Sequence, residues 1–245
     1  MKRCFFLLLV ISGLTGAVFA QGGDDPLAEI YVEGEYVAIP LAEDLITLDG
    51  DLADWENLPF YRVDYGTMPS TSADNAYFEF SVAADSEFFY MAATTPDSTL
   101  ASGPAGENWR GDSFELYINL TDDVLTFEYA VSIFQARIGV NNIGLETATD
   151  IDVEGSYYEA GTLSGYAFET GDGWGVEIAM PWAIYEYEPE DGAEIGFNVD
   201  LNGADVEGAR NVKLIWSYWD TEDTSWLDPS VFGSGIFVEY EAPED

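Results

Sequence analysis

Apolar and polar residues alternate with a period of two along most of this chain, and helical spacing hardly occurs. Phe78, Phe80 and Val82 share one face of a run whose other face carries Glu79 and Ser81. Phe114, Leu116 and Ile118 alternate with Ser113, Glu115, Tyr117 and Asn119. The same rhythm returns in Val176, Ile178 and Met180, and in Phe197, Val199 and Leu201 against Asn198 and Asp200. Side chains of a strand point to opposite faces in turn, so each run predicts a strand with one face in a core. Further strands are predicted at Phe88–Ala93, Thr126–Phe134, Gly165–Glu169, Val212–Tyr218 and Ile236–Tyr240. Turn residues separate them at Ala84-Asp85-Ser86, Gly171-Asp172-Gly173 and Glu190-Asp191-Gly192. One helical turn is predicted at Trp182–Tyr185, after Pro181. Many short strands of this kind imply an all-β fold, an antiparallel β-sandwich of jelly-roll type.

The N-terminus changes the picture of where the chain folds. Lys2 and Arg3 precede an apolar run from Phe5 to Ile11, and Val18-Phe19-Ala20 has the small-residue pattern of a cleavage site. This is the layout of a secretory signal, too short to span a bilayer, which takes roughly 20 apolar residues. Residues 1–20 are thus expected to be a signal peptide, 21–39 a lead-in and 40–241 one β-sandwich domain. The expected location is outside the cytoplasm, extracellular or periplasmic, with no membrane-spanning segment. Cys4 leaves with the signal, so no disulfide supports the fold.

Charge adds a habitat. The chain has 47 acidic and 7 basic residues, a net −40. Without Lys2 and Arg3 the balance is 47 to five, a net −42. Such a charge repels itself in dilute buffer and is the surface of a protein adapted to high salt, where the screening length falls to about 3 Å at 1 M. Disorder is excluded by 47% hydrophobic and 15% aromatic residues. The same charge excludes nucleic acid as a partner and favours neutral ligands.

Candidate chemistry is narrow. The absence of histidine removes Ser-His-Asp and Cys-His nucleophiles and His-bound zinc or haem. Carboxylate pairs of the glycosidase kind cannot be singled out among so many acids, so the chain reads as a binding protein rather than an enzyme. Calcium is the one cofactor whose oxygen ligands are in supply, at Asp49-Gly50-Asp51 with Asp54, or at Asp122-Asp123; neither has a diagnostic spacing. Asn119-Leu120-Thr121 spells a glycosylation sequon.

Seven tryptophans carry more information. Trp55, Trp174 and Trp182 sit within apolar patterns and are expected in the core. Trp109 follows the loop Ser102-Gly103-Pro104-Ala105-Gly106 and precedes a strand, where a ring can stand at the rim of a sheet. Trp216, Trp219 and Trp226 crowd into another strand end and its loop. A flat ring at a rim can pack on the C–H face of a pyranose while nearby polar groups fix the hydroxyls.

Four segments in this order resemble the family 9 carbohydrate-binding modules (CBM9). They are Ile46-Thr47-Leu48-Asp49-Gly50-Asp51-Leu52-Ala53-Asp54-Trp55, then Trp109-Arg110-Gly111-Asp112-Ser113-Phe114-Glu115-Leu116-Tyr117. Next come Trp174-Gly175-Val176-Glu177-Ile178-Ala179-Met180-Pro181-Trp182 with Gly196-Phe197-Asn198-Val199, and Ile215-Trp216 with Trp226-Leu227-Asp228-Pro229-Ser230-Val231-Phe232-Gly233. The resemblance implies a CBM9/DOMON-like sandwich in which two tryptophans enclose a terminal sugar and a Glu and an Arg bind its hydroxyls. Carried over, it implies Trp109 as the first ring, Glu115 as the acid and, more loosely, Arg137 as the arginine. The second ring stays open between Trp216 and Trp219, with Trp226 close by. Trp216 shares a face with Val212 and Leu214, which favours Trp219 as the freer ring. Haem-binding relatives of this sandwich need axial ligands, for which only Met68, Met91, Met180 and Lys213 remain.

These observations imply a secreted, monomeric, non-catalytic protein that binds a neutral polysaccharide or oligosaccharide. Two alternatives stand beside it: a structural or protein-interaction sandwich without sugar binding, and a module assisting a separate glycoside hydrolase.

Overall fold

The computed structural model describes residues 26–130, 132–145, 151–154 and 163–241. The expected signal and its cleavage site lie outside the described residues, as does Val131. The described chain forms twelve strands in one mixed sheet folded over into the two layers of a sandwich. They are β1 (Tyr36–Leu41), β2 (Tyr61–Val63), β3 (Phe78–Ala84), β4 (Phe88–Pro96), β5 (Ser113–Asn119) and β6 (Ile133–Gly139). The remainder are β7 (Ile151–Glu154), β8 (Ser164–Glu169), β9 (Gly173–Pro181), β10 (Glu194–Gly203), β11 (Val212–Ile215) and β12 (Gly233–Glu239). A single turn of α-helix, α1, spans Pro26–Ile30. It is not long enough to cross a membrane, and no other described helix is.

The pairing order is β7-β6-β5-β10-β12-β1-β3-β4-β9-β8, with β11 on β10 and β2 on β3. β5, β6 and β10 form one layer, and β3, β4, β9 and β8 the other. Their apolar faces meet in rings: Phe78 lies 5.7 Å from Phe114, Phe80 5.8 Å from Phe197, and Phe114 4.9 Å from Trp174. Each such buried side chain contributes about 1.5–3 kcal/mol over exposure. Trp174 and Trp182 belong to this core, as their apolar settings predict.

The outer faces of the two layers differ, and this difference positions the site. Outside β3, β4 and β9 the segment 42–58 lies as a cover, burying Ile46, Trp55 and Leu58 on Ala83, Tyr90, Ala92 and Ala179. Glu177 of β9 anchors it. Its carboxylate accepts from the backbone N–H of Asp49 (3.1 Å) and Gly50 (2.9 Å), and from Trp55 Nε1 (2.8 Å). Gly50 stands at φ +81, which only glycine adopts freely. The Asp-Gly and Trp of the first motif are thus one clip for a cover loop. Outside β5, β6 and β10 the described residues place no such apolar cover, and the face carries polar side chains.

Three expectations change. The antiparallel sandwich is mixed, because β1 runs parallel to both β12 and β3. β1 itself falls where a lead-in was expected, since the hydrophobic run of Val37-Ala38-Ile39, buried on both faces, has no alternation to announce a strand. The strand expected at Thr126–Phe134 begins at Ile133 and runs to Gly139. Local bonds fold the residues before it into turns instead: Asp123 Oδ1 accepts from Leu125 N–H (3.1 Å), and Phe127 points to solvent.

Candidate functional site

The polar face of β5 carries Ser113, Glu115, Tyr117 and Asn119, and all four are buried. Cross-strand register extends it in rows. Glu115 lies opposite Arg137 of β6 and Asp200 of β10, and Tyr117 opposite Gln135 and Asn198. Asn202 brings Lys213 of β11 into the next row. This face, which alternation reads as solvated, is a buried polar layer. Asn119 is fully buried within it, so the sequon is closed to modification in the folded state.

The layer's order comes from charge pairing. Lys213 Nζ, with no exposed surface, forms a close ion pair with Glu115 Oε2 and pairs with Asp200 Oδ2 at 3.0 Å and Asp223 Oδ1 at 3.3 Å. Arg137 Nη1 stands 3.7 Å from Glu115 Oε1. Tyr117 Oη donates to Glu115 Oε2 (2.9 Å), and Gln135 Nε2 donates to Glu115 Oε1 (3.1 Å) and to Tyr117 Oη (2.9 Å). Burial alone would raise the Glu115 carboxyl, but Lys213 and Arg137 outweigh it and hold it at about 2. Burial raises Asp200 well above the usual carboxylate range despite Lys213. It also raises the Tyr117 phenol, helped by Glu115. Burial works against the Lys213 ammonium, yet Asp200, Glu115 and Asp223 push its pKa upward. Glu115 is therefore a fixed anion whose oxygens accept and do not supply protons.

Two loops raise walls on this floor. The first, before β5, ends in a 3-10 turn at Asn108–Arg110. Asp112 fixes its base: Oδ2 accepts from Ala101 N–H (2.5 Å) and Oδ1 from Ala204 N–H (2.7 Å). Gly111 packs so close that a Cβ there would lie 2.1 Å from Gly103 N. Trp109, held between these anchors, is 38% exposed. The second wall is the loop after β11. Asp220 caps it, accepting from the backbone of Thr224 (2.7 Å) and Ser225 (2.8 Å). Asp223 carbonyl accepts from Trp226 Nε1 at 3.0 Å, and that ring is 53% exposed.

Between the walls lies a cleft of about 400 Å³ lined by Trp109, Glu115, Tyr117, Gln135, Arg137, Arg210, Asp223 and Trp226. That volume is at the small end of ligand sites. Of the expected residues, Trp109, Glu115 and Arg137 come together here. Trp216 does not: it has no exposed surface and packs on Phe80 (5.9 Å) and Phe197 (5.3 Å) in the core. Trp219 is exposed but does not line the cleft. The second ring in place is Trp226, the third of that crowded group.

Tyr117, Gln135, Arg210, Asp223 and Trp226 also belong to the cleft. Tyr117 and Gln135 could have been found by extending the polar face of Glu115 across the strands. Arg210 carried a weaker signal, rarity: it, Arg137 and Lys213 are three of only five basic residues from Gln21 onward. Asp223 and Trp226 come from a loop without periodicity. Two of the carboxylates weighed for calcium accept local backbone hydrogen bonds. Asp54 Oδ2 accepts from Thr47 N–H (2.8 Å) and Asp51 Oδ1 from Ala53 N–H (3.0 Å). Among the described residues no group of three or more Asp, Glu, His or Cys side chains converges as a metal site.

Comparison with known proteins identifies the family and the fold. The family described as "Carbohydrate family 9 binding domain-like" matches residues 48–239. Endo-1,4-beta-xylanase A of Thermoanaerobacterium saccharolyticum is 29% identical over 188 residues, 76% of this chain and 15% of the xylanase. The namesake enzyme of Thermotoga neapolitana is 29% identical over 198 residues, 76% of this chain and 16% of its own. This chain thus spans roughly a sixth of the length of either enzyme. Among solved structures, a family 9 module from Caldicellulosiruptor kristjanssonii in complex with cellotriose superposes with a TM-score of 0.69 at 19% identity, covering 86% of this chain and all of that one. The same organism's module in complex with glucose gives 0.68 at 20% identity with the same coverage. At such identity the likeness speaks for the fold.

Proposed function

Because this chain belongs to the carbohydrate family 9 binding domain-like family, we propose that it is a non-catalytic module that binds a neutral glycan or its chain end in the cleft between Trp109 and Trp226. One observation carries the reading: two half-exposed indoles stand over a floor whose hydrogen-bonding groups are already fixed by one another. Stacking on the rings would supply apolar contact, and Glu115, Gln135 and Arg137 would meet hydroxyls at little ordering cost. The glucose and cellotriose held by the structural neighbours support a glucan-type ligand. The xylanase relatives support a role beside polysaccharide-degrading enzymes.

Binding fits the electrostatics better than hydrolysis. A glycosidase needs one carboxyl kept protonated near neutral pH beside the scissile bond. The two carboxylates lining the cleft, Glu115 and Asp223, are both tied to cations. Asp200 does have a raised pKa but is sealed beneath Lys213. Export is supported by the N-terminal charged and apolar pattern, and a saline setting by the net charge of −40. All the residues lining the cleft come from one chain, so a monomer is enough for this role and we take it as the working unit.

The test is titration calorimetry with glucose and cellotriose in molar NaCl, on the parent and on Trp109→Ala. Binding by the parent and its loss in W109A, with the thermal midpoint kept within a few degrees, is the expected result. A parent that binds neither these sugars nor a panel of xylans and mannans would overturn the reading, as would W109A binding as tightly as the parent.

A further inference from the structure

The two rings stand on loops that are far apart in sequence, and Arg210 joins them. Its loop, between β10 and β11, is closed on itself by two hydrogen bonds between Asp205 and Asn211: Asp205 N–H donates to Asn211 Oδ1 (3.1 Å) and Asn211 Nδ2 to Asp205 Oδ2 (2.7 Å). The same loop is fastened to the Trp109 loop at two points. Gly208 N–H donates to Ser102 O (3.1 Å), and Arg110 Nε donates to Gly208 O (3.1 Å). From this base the Arg210 guanidinium reaches three ways. Its Cζ lies 5.3 Å from the centre of the Trp109 ring. Its Nη1 donates to Asn202 Oδ1 on the floor (2.8 Å), and its Nη2 donates to Asp223 Oδ2 (2.8 Å). Asp223 in turn holds Trp226 through its carbonyl.

We propose that Arg210 is a positioning residue that sets the separation of Trp109 and Trp226, making two rim loops into one rigid clamp. This rests on the sugar-binding reading above and adds to it how the gap is set. The planar guanidinium suits the task because one rigid fork can satisfy Asn202 and Asp223 together while one face meets an indole. The pair with Asp223 is only about one-fifth exposed, so salt that screens the surface screens it much less. A gap fixed before the ligand arrives spares the ordering of two loops on binding, and freeing it should weaken affinity about tenfold.

The experiment is a double-mutant cycle on cellotriose affinity, measured by calorimetry in molar NaCl, with R210Q, D223N and the double variant. A clamp predicts that each single change weakens binding about tenfold and that the double change weakens it no further, because either one opens the same link. R210K keeps the charge but lacks the planar fork and the flat face laid toward the indole; it should recover only part of the loss, and it serves if R210Q does not fold. Folded R210Q or R210K with parental affinity overturns the clamp. Losses that multiply in the double variant overturn it as well, since they mark independent contacts with the sugar. W109A separates this from the underlying reading: if W109A abolishes binding while R210Q does not weaken it, only the clamp fails; if W109A binds as the parent does, the site itself fails.

Discussion

Replacing Lys213 by Met is the sharpest test of the buried charge layer beneath the cleft. The methionine keeps most of the stem's volume and removes the ammonium that serves Glu115, Asp200 and Asp223. Glu115 would retain Arg137 at 3.7 Å, while Asp200 would lose its close cation. Holding Glu115 at about 2 instead of its usual 4.5 corresponds to about 3 kcal/mol at ~1.4 kcal/mol per pH unit. Removing one partner of a buried pair costs about 3–5 kcal/mol by general experience. The first figure includes Arg137 as well as Lys213, so the mutational range sets the expectation: K213M should lose about 3–5 kcal/mol at neutral pH. The pH dependence has a definite sign. In the parent, the depressed Glu115 carboxyl stabilises the fold above its unfolded value and gives that stability up as pH falls from 4.5 toward 2. In K213M the orphaned Asp200 carboxyl, already raised by burial, loses the cation that opposed the rise, so it favours the folded state when protonated and opposes it as pH climbs. The gap between parent and variant must therefore narrow as pH falls. Urea titrations in molar NaCl at about pH 7.5 and about pH 4 measure it. A loss below about 1 kcal/mol at the higher pH, or one that fails to shrink at the lower, would refute the reasoning.

Other outcomes follow from the same contacts. Trp55→Phe removes the indole N–H that meets Glu177 at 2.8 Å and should lower stability by about 2–3 kcal/mol in urea; an unchanged midpoint would deny Glu177 its role as anchor. Asp112 is pushed up to about 7, by burial first and by Asp97 as a neighbouring like charge, against the backbone N–H bonds it accepts. A raised carboxyl stabilises the fold below its unfolded pKa and loses that contribution as pH climbs through about 7, so D97N should flatten the fall of the thermal midpoint between about pH 4 and 8. Raising NaCl from about 0.5 M to about 3 M should raise the thermal midpoint, because surface repulsion is screened. Cellotriose affinity should meanwhile stay within about threefold, because the ligand is neutral and the cleft's charges are paired and largely buried. A strongly salt-weakened affinity would show that unpaired charge takes part in binding.

Much of the core could be read directly from alternation. The faces Phe78-Phe80-Val82, Phe114-Leu116-Ile118 and Phe197-Val199-Leu201 all meet in the core. The helical turn at Trp182 follows Pro181 as expected. Failures came where burial on both faces erases the alternation, and where an alternating run is not paired into the sheet. β1 is buried on both faces and so reads as an undifferentiated apolar run. Residues 126–130 alternate yet have no partner strand, and local side-chain bonds fold them into turns. At the cleft, Glu115 and Arg137 were reached through the four-segment resemblance, and Trp109 also through its place between a loop and a strand. Trp226 and Asp223 were not, because a loop's direction is set by the bonds that hold it, here those to Asp220.

By itself the sequence determined which residues share a face, how few cations the protein has, and that its chemistry must work without histidine. Those properties are local or additive, so they survive without coordinates. Tertiary structure decided which polar face is wet. Lys213 meets Glu115 from 98 residues away and Asp112 bonds Ala204 from 92 away, and no pattern along the chain encodes such distances. It likewise decided which of three neighbouring tryptophans stands at the cleft. Trp216 follows the strand into the core, Trp219 turns elsewhere, and only Trp226 is carried back over the polar floor, because Asp220 closes its loop and the Asp223 carbonyl fixes its indole.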